Sequence, residues 1–304
     1  MTTYTNVTGI IVNYNSGQNL CECIQSLINQ GLDRIIIVDN NSNDSSFRIA
    51  KESFPAFEYI GCSTNWGFGK AVNIALAKVT TSYVLICNPD ATLIGNGLVE
   101  MFREATEYGK TAIVAPNLVR PNGTVERSGK PFPTIKRSWR QAFLGVVAPN
   151  GNYSKRYHVD TQTISGDSEV DWVNGACFLA LTAAMREVGG FDEEYFMYVE
   201  EVDLCWRLKE LGWHIRVAKK ATCIHVGAAS ADKHPIKMAL AHHKSLIRFA
   251  KKTSPGIAPI TIRLLGLGVY LRLLLVILKI LISSCARNFS VFIDSLRRSK
   301  LDRN

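Results

Sequence analysis

VTGIIVNYNSGQNLCECIQSLINQGLDRIIIVDNNS, residues 7–42, sets two apolar runs on either side of a helical pattern and ends each run in polar residues. VTGIIVN (7–13) and RIIIV (34–38) are short, continuous and β-branched, as strands buried on both faces are. Between them Leu20, Ile24, Leu27 and Ile28 share one face of a helix over about 18–30. The unit repeats downstream as a helix over about 44–53, a strand at 57–61, a helix at 68–78 and the strand YVLIC (83–87). This alternation predicts an α/β fold, a Rossmann-like, mainly parallel sheet with helices on both faces. Further on come a helix over about 96–108, a strand at 111–115 and a hairpin over 118–129 around Pro121-Asn122-Gly123. Residues 130–170 are loop-rich, with Lys136, Arg137, Trp139, Arg140, Lys155, Arg156 and Tyr157. VDWVNGACFLAL (170–181) places a polar corner before a buried strand, and short strands follow at 213–217 and 222–226.

In open parallel sheets ligands bind outside the carboxyl ends of strands. The residues there are Asn13-Tyr14-Asn15, Asp39-Asn40-Asn41-Ser42, Asn65-Trp66-Gly67-Phe68-Gly69 and Asn88-Pro89-Asp90. Singly, each also suits an ordinary turn, because Asn, Asp and Gly make turns. Four at successive strand ends point to a site. The phosphate loops of other nucleotide binders are excluded: Val72 stands where a dinucleotide fingerprint needs its third glycine, and Lys70 is followed by Ala71 rather than Ser or Thr.

GGFDEEYFMYVEEVDLCWRL (189–208) concentrates acids and aromatics after a Gly-Gly hinge. Leu204, Leu208 and Leu211 recur at helical spacing, and Glu200 and Glu201 extend that stripe one turn back toward the interior. Asp203 can pair with Arg207 at i+4. Alternatively, the acids only complement the dipole of a helix N-terminus.

The chain has 304 residues, nearly half of them hydrophobic, and a net charge of +9. It is long enough for a sizeable core. Twelve of its 35 Lys and Arg lie from Lys244 onward, against two of its 26 acids, so the basicity belongs to the tail. A basic, apolar tail suits an anionic membrane surface rather than nucleic acid. The N-terminus shows no secretory signal, and eight cysteines without a CxxC pair argue for reduced thiols in cytoplasm rather than zinc or disulfides.

IVNYNS (11–16), VDNNSND (38–44), NWGFGKAVN (65–73), NPDA (88–91), DWVNGACFLA (171–180), GGFDEEYFMYVEEVDLCWRL (189–208) and IHVGAAS (224–230) together resemble glycosyltransferase family 2, inverting nucleotide-sugar transferases of GT-A fold. The likeness is strongest to bacterial rhamnosyltransferases of surface-polysaccharide synthesis. It implies a GT-A domain over 1–230, with a nucleotide half over about 1–115 and an acceptor half over about 116–230. It also implies that Asn13, Asn15, Asp39, Asn41, Asn65, Gly67, Phe68, Gly69, Asn73, Asn88 and Asp90 bind the nucleotide sugar. Trp172, Asn174 and Asp203 would face acceptor or sugar. Asp90 matches the last carboxylate of the family's metal-binding DxD, and His225 the histidine near the diphosphate. A divalent Mg or Mn is therefore implied, although Asn88 replaces the first carboxylate. The family's general base maps to Glu201, with Glu200 a second candidate.

The expected reaction is transfer of a deoxyhexose, L-rhamnose from dTDP-rhamnose, to a glycan or polyprenyl-linked acceptor at the inner face of the cell membrane. A galactosyl- or N-acetylglucosaminyltransferase using a UDP-sugar is the alternative within the class. Outside it stand a sugar-nucleotide pyrophosphorylase, which would want a basic phosphate loop after the first strand, and a non-catalytic nucleotide-sugar-binding scaffold. Residues 231–304 form a basic, apolar helical region. Its segment 264–282 has nearly the ~20 residues of a spanning helix, but Arg272 and Lys279 favour a helix lying in the interface. Nothing in the sequence sets the oligomeric state.

Overall fold

The structure is a computed structural model that describes residues 5–126, 128–133, 169–227 and 235–253, and, beyond these, 267–268, 270 and 273–278. They fall into two compact units, one holding 5–133 and 169–227, the other 235 onward.

The first unit opens with strand β1 (Val7–Asn13), helix α1 (Asn19–Asn29), β2 (Ile35–Asp39), α2 (Ser46–Ser53), β3 (Glu58–Gly61), α3 (Phe68–Leu76) and β4 (Tyr83–Cys87). It continues with β5 (Ala91–Ile94), α4 (Gly97–Glu107), β6 (Thr111–Val119), β7 (Val125–Glu126) and β8 (Gly129–Lys130). After these come β9 (Glu169–Val170), β10 (Trp172–Val173), β11 (Cys177–Leu181), α5 (Thr182–Glu187), α6 (Glu200–Glu210) and β12 (His214–His225).

The sheet runs in the order β3-β2-β1-β4-β11-β6-β12-β5. Strands β1 to β4 pair in parallel, as do β6 and β12, whereas β11 runs against β4 and β6, and β5 runs against β12. Consequently β1, β2, β3, β4, β6 and β12 end at one rim, and β11 and β5 begin there. The order reverses between β1 and β4, the switch point where α/β sheets place ligands.

The pleat of β1 shows how the layers form. Val7 and Ile11 point to one face and pack with Leu20, Cys23, Ile24 and Leu27 of α1, whereas Ile10 and Val12 meet Ala71, Val72 and Ala75 of α3. Successive side chains of a strand alternate faces, so a strand buried on both sides must be apolar throughout. All seven β1 residues are buried.

Three sequence expectations need correction. His214–His225 forms one strand where two were expected at 213–217 and 222–226, because the irregularity between Ala218 and Thr222 lets the exposed Lys219 and Lys220 bulge outward without ending the pairing. Leu211 leaves the apolar stripe: it caps α6 and is exposed, whereas Leu204 and Leu208 are fully buried. Strand β5 and helix α5 went unpredicted, each being too short to show a period. The seven described cysteines are free thiols.

In the second unit, α7 spans Pro235–Thr253, inside the region 231–304 expected to be helical, and 273–278 is helical. No helix among the described residues is long and apolar enough to cross a membrane. Most of the segment 264–282, with Arg272 and Lys279, lies outside the described residues, as do the basic and aromatic residues of 134–168 and the end of IHVGAAS.

Candidate active site

The rim is built by loops that hydrogen-bond to one another. Asn13, fully buried at the end of β1, has its amide nitrogen within reach of Asp39 Oδ1 (2.6 Å), Ser46 Oγ (2.9 Å) and Ser42 Oγ (3.1 Å), and its Oδ1 accepts from Ser16. Asp39 also takes the Ser42 N–H on Oδ2 at 3.0 Å. Asn15 and Asn41 both adopt left-handed backbone, which Asn tolerates. Asn15 Oδ1 accepts the Asn43 and Asp44 amides at 2.7 and 3.2 Å.

Asn40, which the motif pattern did not single out, is buried beside them. It donates to Asn65 Oδ1 (3.0 Å) and to the Gly67 carbonyl (2.9 Å), and it accepts the Trp66 N–H (2.9 Å). The β2 loop thereby sets the β3–α3 loop. Trp66 itself presents an exposed ring beneath Lys70 Nζ, 4.3 Å from the centroid.

Gly67, Gly69 and Asn73 face loop 190–196. A Cβ at Gly67 would stand 2.1 Å from the Phe196 carbonyl oxygen, and one at Gly69 would stand 2.9 Å from Phe191 Cβ. The Asn73 side chain pairs with the Phe191 backbone. The sequence expectation had these glycines admitting a nucleotide. The atoms that need the space in this structure are those of the protein's own loop.

Past β4, the Asn88 N–H donates to the Ala176 carbonyl at 2.7 Å, which ties NPD to the corner before β11. Asp90 Oδ2 accepts the Gly227 N–H at 3.1 Å, and its Oδ1 lies 3.5 Å from His225 Nε2. Strand pairing sets this contact, since His225 on β12 stands opposite Ala91 on β5. Burial pushes the Asp90 carboxyl up, but the hydrogen bond and charge of His225 outweigh it and leave its pKa lowered. Burial likewise pulls His225 down, and Asp90 more than offsets it, so the imidazole pKa is raised.

Among the described residues no group of three or more His, Cys, Asp and Glu is arranged to hold a metal ion. Asp90 and His225 nevertheless suit two positions of a shell. Neighbouring ligands of an ion with bonds of about 2.1 Å stand about 3 Å apart, close to the 3.5 Å observed. His225 Nδ1 is buried without a hydrogen-bond partner among the described residues and has the Glu126 carboxylate 3.9 Å away, too far for a hydrogen bond. Diphosphate and water oxygens would have to complete such a shell.

The acid pair heads α6. Tyr198 and Val199, both left-handed without being glycine, turn the chain into the helix. Glu200 is buried, and its Oε2 has no hydrogen-bond partner among the described residues. Burial raises its pKa well above the ordinary carboxylate value, with the Glu201 charge adding to the effect. Glu201 is half-buried against Gly175, whose Cβ position lies 3.7 Å from Glu201 Cβ. Burial raises its pKa too, offset in part by a backbone hydrogen bond and the Lys130 charge.

Gly175 adjoins Ala176, which holds Asn88. One corner therefore carries both the acid pair and the Asp90 loop. Asn174 braces that corner by accepting the Ala176 N–H at 2.9 Å. Trp172 pairs with Lys130 across β10 and β8, donates to the Pro131 carbonyl at 2.9 Å and has Lys130 Nζ 5.1 Å from its ring centroid. No local pattern could have found Lys130, which reaches Trp172 only through strand pairing. Asp203 is fully buried and accepts from Arg207 Nε at 2.7 Å, with Tyr195 Oη 3.4 Å away. It serves as an internal anchor of α6.

Comparison with known proteins bears on the family and the fold. Residues 8–170 match the model of glycosyl transferase family 2. The chain is 28% identical over 261 residues to an N-acetylglucosaminyl-diphospho-decaprenol L-rhamnosyltransferase of Mycobacterium tuberculosis, covering 81% of this chain and 84% of that one. It is 27% identical over 225 residues to rhamnosyltransferase WbbL of Escherichia coli K12, covering 70% of this chain and 81% of the relative. A mannosyltransferase from Pyrobaculum calidifontis, solved with GDP-Man and Mn2+, shares the fold with a TM-score of 0.55 at 14% identity over 92% of this chain and 75% of that one. The chain belongs to glycosyl transferase family 2 and is a glycosyltransferase of GT-A fold.

Proposed function

We propose that this enzyme transfers L-rhamnose from dTDP-rhamnose, with inversion, to a hydroxyl of a polyprenyl-linked glycan. The observation that carries the reading is the shared corner. Ala176 holds the Asn88–Asp90 loop while neighbouring Gly175 packs on Glu201, so donor-side and base-side groups meet at one rim. The names of the two rhamnosyltransferase relatives support the sugar, and that of the mycobacterial relative supports the lipid-linked acceptor.

In this reading Glu201 takes the proton from the acceptor hydroxyl as it attacks the anomeric carbon. Glu201 is only partly buried, which leaves a side for an acceptor to approach, whereas Glu200 lies deeper. Asp39, Asn15, Asn41 and Asn65 line the nucleotide side. Asn13 and Ser42 occupy three of the about four lone-pair sites of the Asp39 carboxylate, which leaves one on Oδ2 to accept from a ribose or base. Asp90 and His225 would hold a divalent ion, which when bound neutralises the leaving diphosphate. Trp172 and Asn174 face the acceptor.

The second unit would rest on the anionic inner surface of the cell membrane. Leu267, Tyr270, Leu274 and Leu278 are exposed and recur at helical spacing, and the surrounding sequence is basic.

Incubating the protein with membrane extract and a panel of dTDP-rhamnose, UDP-galactose, UDP-N-acetylglucosamine and GDP-mannose tests the donor. The expected result is acceptor-dependent release of dTDP. Release of UDP alone would replace rhamnose by a UDP-sugar, and release of GDP alone would replace it by mannose.

A further inference from the structure

The motif NWGFGKAVN (65–73) is fastened along its length to the loop that delivers the acid pair. Asn73, in the second turn of α3, accepts the Phe191 N–H on Oδ1 and donates from Nδ2 to the Phe191 carbonyl, both at 2.9 Å. Both polar halves of one backbone residue are thus met by one side-chain amide, much as a neighbouring strand would meet them. Such a two-point contact fixes orientation as well as distance. The same nitrogen lies 3.2 Å from Glu193 Oε1, and Lys70, one turn earlier, pairs with Glu193 Oε2 at 3.3 Å.

At the far end of the loop the Phe68 N–H donates to the Phe196 carbonyl at 3.2 Å, and the Phe68 and Phe191 rings meet edge to face. Three glycines allow this approach. Besides Gly67 and Gly69, Gly190 has a left-handed φ of 72°, and a Cβ there would stand 2.4 Å from Asn73 Oδ1. Three residues after Phe196, at Val199, the chain enters α6 through two left-handed non-glycine residues. That conformation persists only where surrounding contacts over-determine it.

We propose that Asn73 is a positioning residue for the reaction: by gripping Phe191 it holds loop 190–199 against the donor-side helix and so sets Glu201 opposite the sugar. This rests on the transferase reading above and gives the asparagine a task other than touching nucleotide. Its loss should slow the chemical step and spare donor binding, because the amide that would face a nucleotide faces Phe191 instead.

The test uses the full chain as wild type, Asn73→Ala and the near-isosteric Asn73→Asp, which loses the donor to the Phe191 carbonyl and sets a carboxylate beside Glu193. Steady-state kinetics with the donor identified by the panel should show kcat falling about tenfold or more. Donor KM and the Kd of the released nucleoside diphosphate should stay within about twofold. A raised KM with unchanged kcat would make Asn73 a nucleotide contact and overturn the proposal, as would two unchanged constants. Amide hydrogen exchange across 190–201 should quicken in Asn73→Asp relative to wild type; unchanged exchange overturns the clamp whether or not any donor turns over. If wild type transfers no sugar from dTDP-rhamnose while exchange still quickens, the rhamnose reading fails and the clamp survives.

Discussion

Glu201 and Glu200 head the same helix but meet different surroundings. Glu201 lies half-buried on Gly175 within the field of Lys130, whereas Glu200 is turned inward with one oxygen unpartnered among the described residues. A general base contributes about 10²–10⁴-fold, so Glu201→Gln should lower kcat by that order with donor KM little changed. Because burial raises the Glu201 pKa, the base is protonated over a wider acid range. The acid limb of the kcat–pH profile should therefore fall at a pH above the ordinary carboxylate range, and Glu201→Gln should remove it. Glu200 bears on stability. An acid whose pKa is higher folded than unfolded binds more protons in the folded state, so stability falls as pH rises from the unfolded pKa to the folded one. Glu200→Gln removes that penalty. Its Tm advantage over wild type should grow from acid to neutral pH in thermal melts, and an advantage largest at low pH would contradict the assignment.

At the scale of elements, helix α3 and loop 190–199 behave as one body, and the glycines between them are the weak points. Gly67→Ala combines a left-handed φ of 85° with a Cβ 2.1 Å from backbone, which no side chain can relieve. It should cost about 2–4 kcal/mol in urea denaturation. Gly95→Ala has a similar φ but open space around the new methyl, and should cost only about 1–2 kcal/mol. The difference between the two reports the loop contact together with the glycine-only backbone of Gly67, whose ψ of 177° lies outside the left-handed well. Strands β5 and β12 form another such body: their register puts His225 beside Asp90, so the candidate metal pair depends on the pairing of Ala91–Ile94 with the end of β12.

For the whole molecule, chelation is expected to stop transfer. Mn²⁺ should restore it at lower concentration than Mg²⁺, because an imidazole ligand suits the softer ion. Titration of activity with each metal after chelator treatment checks this, and full activity in excess chelator would dismiss the ion. Sedimentation with anionic vesicles should carry the full chain down at low salt and release part of it at 0.5 M, since only the electrostatic share of binding is screened. Equal binding to neutral vesicles would argue against the basic tail as the contact.

The sequence alone determined the fold class, the first four strands with the helices between them, and the residue types at those strand ends. Those signals are local: a buried parallel strand must be apolar throughout, and the polar residues that stop it mark the rim. It also marked Asp90, His225 and the Glu200-Glu201 pair as chemistry-bearing. Only the tertiary structure decided which side chains face each other. Asn73 meets a residue 118 positions away, Lys130 meets Trp172 through strand pairing, and Asn40 rather than Asn41 turns inward to tie two loops. A spacing pattern carries no term for such contacts, because they depend on how separate elements pack. For the same reason the sequence did not show that the glycines of NWGFGKAVN make room for the protein's own loop 190–196.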